Sequence, residues 1–211
     1  MNIFTPNMPN IYRDCAYKYY LNYVRDVKIP QNDIPFMVGK NVHALASYYL
    51  KGEDISKYDL PPKEAHLWNN LMKIEYMRMK PVKVEQSILV KVADTWVGGR
   101  VDAVVVDNQN NYYILDYKTG NIPQDYKYAF QTMIYSLGCN SLFNDINTLR
   151  FVYINVRDVE TKEVLFTESL KSEYETRISE VISSIKKDSF SVRKHSEKCN
   201  TCQYQKVCKS I

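Results

Sequence analysis

The sequence predicts an α/β protein in which a mixed β-sheet is flanked by helices. Three observations predict it. Segments with helical spacing of apolar residues come before and after a central run of strands. The central segments alternate apolar and polar residues over several positions. The turn-like "DNQNN" joins two of them into a hairpin, so most of the sheet is expected to be antiparallel.

Taken in order, "YRDCAYKYYLNYV" (12–24) is an aromatic-rich helix. Residues 34–50 form a second helix, with Val38, Val42, Leu45 and Tyr49 as its core-facing stripe. Residues 62–79 read as a third. In 82–93 the apolar residues Val82, Val84, Ile88, Val90 and Val92 fall on one face of a strand. Strands at 95–107 and 111–118 make the hairpin. A helix is expected over 123–139, then strands in "TLRFVYINVRDV" and "EVLFTESL". Residues 172–188 close the series as a helix, with Ser172 as its cap and Glu175 three residues on.

The chain has 211 residues, 45% hydrophobic and 25% charged, which suits one domain or one domain with a small appendage. No apolar run is long enough to span a membrane, and the opening "MNIFTPNMPN" lacks a secretory pattern, so a cytoplasmic protein is expected. A net charge of +4 is compatible with a polyanionic partner without demanding one. Eighteen tyrosines could stack on bases, although most should serve packing.

The hairpin carries the chemistry. Centred on Gln109, it sets Val106 opposite Tyr112, Val104 opposite Ile114 and Asp102 opposite Asp116. Directly opposed side chains have Cβ atoms roughly 5 Å apart, so two carboxylates there repel unless a cation compensates. Hard oxygen donors suit Mg²⁺ or Mn²⁺. Lys118 shares the face of Asp116 because strand side chains alternate. In this register Arg100 lies across from Lys118 and is expected to face phosphate, while Glu85 on the preceding strand either joins the metal shell or is solvated. A single Asp-x-Lys is usually a solvated strand end; the glycine pair Gly98–Gly99, Asp102, a hydrophobic run and then Asp116-Tyr117-Lys118 form a more specific set.

Five cysteines are present, and in a reducing compartment their clustering reads as metal ligation. Cys199, Cys202 and Cys208 follow Cys-x2-Cys-x5-Cys, with Cys15 far upstream. Four thiolates suit either tetrahedral Zn²⁺ or a 4Fe–4S cluster. Cys139 reads as a small buried hydrophobe, and His66 and His195 as structural residues.

"GGRVDAVVVDNQNNYYILDYKTG" resembles the active-site hairpin of the PD-(D/E)XK nuclease superfamily, and in particular its RecB-type exonuclease branch. His43 in "VGKNVHALA" matches that branch's metal-binding histidine, Gln131 and Tyr135 in "FQTMIY" match its Gln-x-x-x-Tyr helix, and Cys15 with "CNTCQYQKVC" resembles its iron–sulfur variant, including the CRISPR-associated members. Ala16 stands where proline often follows the first cysteine of that variant.

The resemblance implies a restriction-endonuclease-like core, with N- and C-terminal segments joined by a 4Fe–4S cluster on Cys15, Cys199, Cys202 and Cys208. It implies one nuclease domain over 1–211, with its core at about 34–188 and cluster-binding segments at about 10–25 and 195–211. His43, Asp102, Asp116 and the Tyr117 backbone carbonyl would hold Mg²⁺ or Mn²⁺, Lys118 would act on the attacking water or the phosphorus centre, and Gln131 and Tyr135 would contact DNA or support the site. The implied activity is a DNA exonuclease that acts mainly on single-stranded ends and leaves 5′-phosphates. CRISPR adaptation, repair or phage DNA processing could use it, alone or with other DNA-processing proteins. Two alternatives stand beside this reading: a non-catalytic nucleic-acid-binding or assembly subunit that keeps the fold, and a zinc-stapled protein unrelated to nucleases.

Overall fold

The computed structural model describes residues 3–30, 34–191 and 197–209, with the side chains of 34, 35 and 209 left aside. Five strands form one sheet in the order β1-β2-β3-β4-β5: β1 (Lys80–Val92), β2 (Thr95–Val106), β3 (Asn111–Lys118), β4 (Thr148–Asn155) and β5 (Glu160–Phe166). Every neighbouring pair is antiparallel except β3 and β4, which run parallel. A parallel pair needs a long crossover, and the segment between those strands contains the helix Phe130–Leu142. The mixed sheet flanked by helices is therefore as the sequence predicts.

The helices are α1 (Asn7–Asp14), α2 (Ala16–Tyr19, continuing as a π-turn to Val24), α3 (Ile34–Leu50), α4 (Pro62–Leu71), α5 (Phe130–Leu142), α6 (Glu168–Lys187) and α7 (Gln205–Lys209). On one side of the sheet, Phe130, Met133 and Ile134 of α5 and Tyr174 and Ile178 of α6 bury against Val97, Val101, Ile114 and Phe151. On the other side, Val42 and Ala46 of α3 and Leu67 and Leu71 of α4 bury against Ala103, Val105, Leu115 and Ile154. Removing this apolar surface from water is the main force holding the layers together. A third, smaller cluster of Tyr17, Leu21 and Tyr204 ties the two terminal segments to each other.

Four expectations are corrected. The helix expected over 12–24 is split at Cys15, whose extended backbone (φ −162°, ψ 110°) separates α1 from α2. The third helix ends at Leu71: the N–H groups of Lys73 and Ile74 turn back to the carbonyls of Asn70 and Leu71, and only a 3₁₀ turn follows at Glu75–Arg78. The helix expected from 123 begins at Phe130, after a separate 3₁₀ turn at Tyr126–Tyr128. The last helix starts earlier than expected, because the Thr167 hydroxyl caps it by accepting from the Leu170 N–H at 3.2 Å. Ser172 lies inside that helix and donates to the Glu168 carbonyl.

The fifth correction concerns β1. Ile88, Val90 and Val92 join the α5–α6 layer, but Val84 joins the α3–α4 layer. Strict alternation would put them all on one face. The reversal falls at Glu85, which adopts φ +52° in mid-strand and so shifts the phase of the side chains. The partner strand shows the same break: Val101 and Val104, three apart, face the α5–α6 layer, while Ala103 and Val105 face the other. Asp102 lies within that break.

Candidate active site

The β2–β3 ladder has the expected register, with Val106 opposite Tyr112, Val105 opposite Tyr113, Val104 opposite Ile114 and Ala103 opposite Leu115. The ladder stops there. At the next step the Tyr117 N–H donates to Asp102 Oδ2 at 2.9 Å, so a carboxylate replaces a backbone carbonyl as acceptor. The other oxygen of Asp102 stands 3.1 Å from His43 Nδ1 on α3. The break in β2 thus turns Asp102 toward the α3 layer, where His43 meets it and also lies edge-on to the Tyr117 ring.

Asp116 and Lys118 do share a face, that of α5. The Lys118 ammonium is 2.6 Å from Asp116 Oδ2 and donates to Gln131 Oε1 at 2.9 Å. The amide of Gln131 in turn donates to Asp116 Oδ1. One glutamine in the first turn of α5 therefore clasps both ends of the Asp-x-Lys pair. One turn later Tyr135 covers Gly99, where an added Cβ would come within 2.9 Å of its ring. The Tyr153 ring of β4 lies 5.5 Å from Lys118 Nζ. Sequence reasoning missed Tyr153, since nothing in the chain announces which β4 residue pairs with Asp116.

Arg100 and Glu85 are placed differently from expectation. Arg100 is laddered with Ser87 of β1 and not with Lys118 of β3, and its guanidinium pairs with Glu85 at 3.1 Å. The flanking pairs Val84–Ala103 and Gln86–Val101 set Glu85 across from Asp102. His43, Lys40, Tyr48, Glu85, Arg100 and Asp102 line one cleft of 510 Å³. His66 meets Asn70 within its own helix, and His195 lies outside the described residues.

The electrostatics mark Asp116 as the strained group. It is 2% exposed, and burial pushes its carboxyl up to about 6, aided by the Asp102 charge and opposed by Lys118. Although Lys118 is close, Asp116 Oδ2 lacks a hydrogen bond of proper geometry. For His43, burial disfavours the charged ring, but the hydrogen bond and charge of Asp102 outweigh it and raise the pKa. Burial pushes the Tyr135 phenol up to about 12 and also leaves the Tyr117 hydroxyl without a hydrogen-bond partner.

Asp102 and Asp116 do not share a face as expected, since Asp102 turns toward α3 and Asp116 toward α5. The Asp102 charge still raises the buried Asp116 carboxyl, and two such acids suit a hard dication. Mg²⁺ commonly takes one or two carboxylates and keeps several waters. Among the described residues no three His, Cys, Asp or Glu side chains form a ready metal-binding group, so an ion here would rest on few protein donors and on water.

In the metal-free protein the stability contributed by Asp116 depends on pH. The folded pKa of Asp116 lies above its unfolded value, so the folded state holds the proton more tightly. Stability then falls as pH rises from about 4 to about 6, by an order of 1–3 kcal/mol. Asp116→Asn should remove this component, which denaturant melts in EDTA from pH 4.5 to 7.5 would read. Parallel stability-versus-pH curves for wild type and variant would contradict it.

At the termini, Cys15, Cys202 and Cys208 pack against the Tyr17–Leu21–Tyr204 cluster, and the Cys202 N–H donates to the Cys199 carbonyl. Among the described residues, however, no three cysteines form a ready metal-binding group. Burial raises the Cys208 thiol, aided by the charges of the other three. Lys198 pairs with Asp14 at 2.6 Å, and the Tyr204 hydroxyl donates to Asn22 at 3.0 Å. The described terminal segments are thus held by packing and hydrogen bonds, and none of the five cysteines is in a disulfide. Cys139 is fully buried, its thiol pushed up to about 12, as suits a core residue.

The PD-(D/E)XK nuclease superfamily profile matches residues 62–209, and the chain belongs to that superfamily. The matched span includes Asp102, Asp116, Lys118, Gln131, Tyr135 and three of the clustered cysteines, but not His43 or Cys15. Among solved structures, the chain is similar to a Eubacterium rectale protein described as "Putative exonuclease", with 10% identity, a TM-score of 0.58, and coverage of 94% of this chain and 87% of that one. It is also similar to SSO0001, with 14% identity, a TM-score of 0.46, and coverage of 99% and 86%. No curated protein gives a significant match. No helix among the described residues is long and apolar enough to cross a membrane.

Proposed function

We propose that this protein is a divalent-metal-dependent deoxyribonuclease of the RecB-type exonuclease branch, acting mainly on single-stranded DNA ends. The observation that carries the reading is the pair of assemblies at the break in the sheet: His43–Asp102 from one layer and Asp116–Lys118–Gln131 from the other. Asp102, Asp116, His43 and the Tyr117 carbonyl would hold Mg²⁺ or Mn²⁺. When bound, such an ion polarises the scissile phosphodiester and lowers the pKa of water. The chain's own part is to hold the groups in place. Gln131 fixes the Lys118 ammonium beside Asp116, where it can orient the attacking water or offset charge on the phosphorus centre. Tyr117 fixes Asp102 through its N–H, and Tyr135 supports the hairpin through Gly99.

Incubating end-labelled single-stranded DNA with protein and Mn²⁺ tests this. Wild type should degrade the strand progressively from its end, EDTA should stop it, and Asp116→Ala should be inert. Equal cleavage by wild type and variant would reject the site, and binding without cleavage by the wild type would favour an assembly subunit.

The Cys-x2-Cys-x5-Cys spacing, with Cys15 packed beside Cys202 and Cys208 against one apolar cluster, supports a second part of the proposal, a structural 4Fe–4S cluster that clamps the two terminal segments. Constraint between distant chain ends should stabilise most by closing a long loop. Cys202→Ala is expected to lose the brown colour of the purified protein and most of its soluble yield. A colourless wild type containing zinc, or a variant that stays brown and soluble, would contradict the cluster.

A further inference from the structure

The α3 face that carries His43 continues in both directions. Phe36, Lys40, His43 and Ser47 follow one another at steps of four, three and four, so they share a helix face. Lys40, His43, Ser47 and Tyr48 line the cleft that holds Asp102. One turn before Lys40, the Phe36 side chain stands in solvent at 64% exposure, with Met37 beside it at 51%. At the far end the Tyr48 ring lies against that of Tyr58 at 5.6 Å and 8°, and Lys57 Nζ is 5.6 Å from the Tyr58 ring. By helical rise, Phe36 and Tyr48 are about 18 Å apart, with His43 between them.

A lone exposed phenylalanine needs no explanation. An aromatic pair at one end of the cleft and an exposed phenylalanine one turn beyond the other, with Lys40, His43, Arg100, Glu85 and Asp102 lining it between, form a pattern suited to one ligand. Single strands are bound by stacking bases on aromatic faces while cations track the phosphates. A duplex offers no free base faces to such rings. Gly39 lets α3 come close to the end of β3, since an added Cβ would come within 3.0 Å of the hydroxyl of Thr119, which follows Lys118.

We propose that this face of α3 is a track for single-stranded DNA, with Phe36 stacking a base on one side of the nucleotide at His43–Asp102 and the Tyr48–Tyr58 pair stacking one on the other. This rests on the nuclease reading and names how its substrate is held. The test is binding without metal, by fluorescence anisotropy in EDTA with labelled oligothymidylate. Phe36→Ala and Tyr58→Ala should each weaken binding roughly tenfold, while Phe36→Trp keeps it. An oligonucleotide of the same length lacking bases should bind wild type and both alanine variants alike, and so should duplex DNA. Unchanged affinity for oligothymidylate in both alanine variants, or an equal loss on the abasic strand, would overturn the track. Because no cleavage is needed, that outcome is separate from the fate of the nuclease site, which is decided by Asp116→Ala.

Discussion

Lys118→Ala should lower cleavage of single-stranded DNA by about 100- to 1,000-fold, the effect of removing one preorganised electrostatic donor from a site of this kind. The ammonium is held at 2.6 Å from Asp116 Oδ2 and 2.9 Å from Gln131 Oε1, so it is already in place before substrate arrives. Its removal takes the nearest cation from buried Asp116, and Gln131 loses its Lys118 partner. Arginine should not rescue the loss. A planar fork is a poor replacement for a compact ammonium seated between one carboxylate oxygen and one amide oxygen over the Tyr153 ring. Single-turnover rates, measured beside anisotropy in EDTA, separate the two possible defects: the rate should fall while oligothymidylate affinity stays within a few-fold. A variant that cleaves as fast as wild type would remove Lys118 from the chemistry.

The hairpin was the most legible part of the site. Its register follows from a short polar turn between two apolar strands, because a one-residue slip would turn every buried side chain outward. Counting along it sets Asp102 opposite Asp116 as a further pair, whereas the ladder ends one pair earlier, at Ala103 and Leu115. How Asp102 points was not legible. It depends on a phase reversal at Glu85, and a non-glycine residue at φ +52° within a strand leaves no compositional trace. That hidden reversal places Val84 apart from Ile88 and turns Asp102 toward α3. Arg100 was misplaced because the β2–β3 ladder ends at Ala103, which leaves it to β1 and Glu85.

Helix ends were less legible than helix existence. Ser172 and Glu175 satisfy the capping-box pattern, yet Thr167 wins because it directly follows β5 and its hydroxyl accepts from the Leu170 N–H. The joint work of Gln131 on Asp116 and Lys118 was only half visible. Helical spacing put Gln131 and Tyr135 on one face, but the crossover that brings α5 over the end of β3 is a tertiary fact.

Gly98→Ala should cost the fold about 3 kcal/mol or more, beyond the usual 1–3 kcal/mol of overpacking, because the obstacle is backbone. A Cβ on Gly98 would lie 2.3 Å from the Ile88 carbonyl oxygen and 3.2 Å from the Leu89 Cα. A side chain could swing away, but a strand backbone can only move with its neighbours. Parting β1 from β2 would disturb Ile88, which is buried against α5 and meets Gly138 there, and Gly99, over which Tyr135 sits. The same movement would shift the break that orients Asp102, so cleavage should fall with stability. For a chain of this size the midpoint of thermal unfolding should drop by about 6–12 °C, read by circular dichroism. Gly120→Ala is the control, since a Cβ there meets nothing within 4 Å and should change stability by under about 0.5 kcal/mol. If both variants melted together with wild type, the close approach of β1 to β2 would be wrong, and with it the argument that the glycine pair exists to let one strand and one tyrosine ring come near.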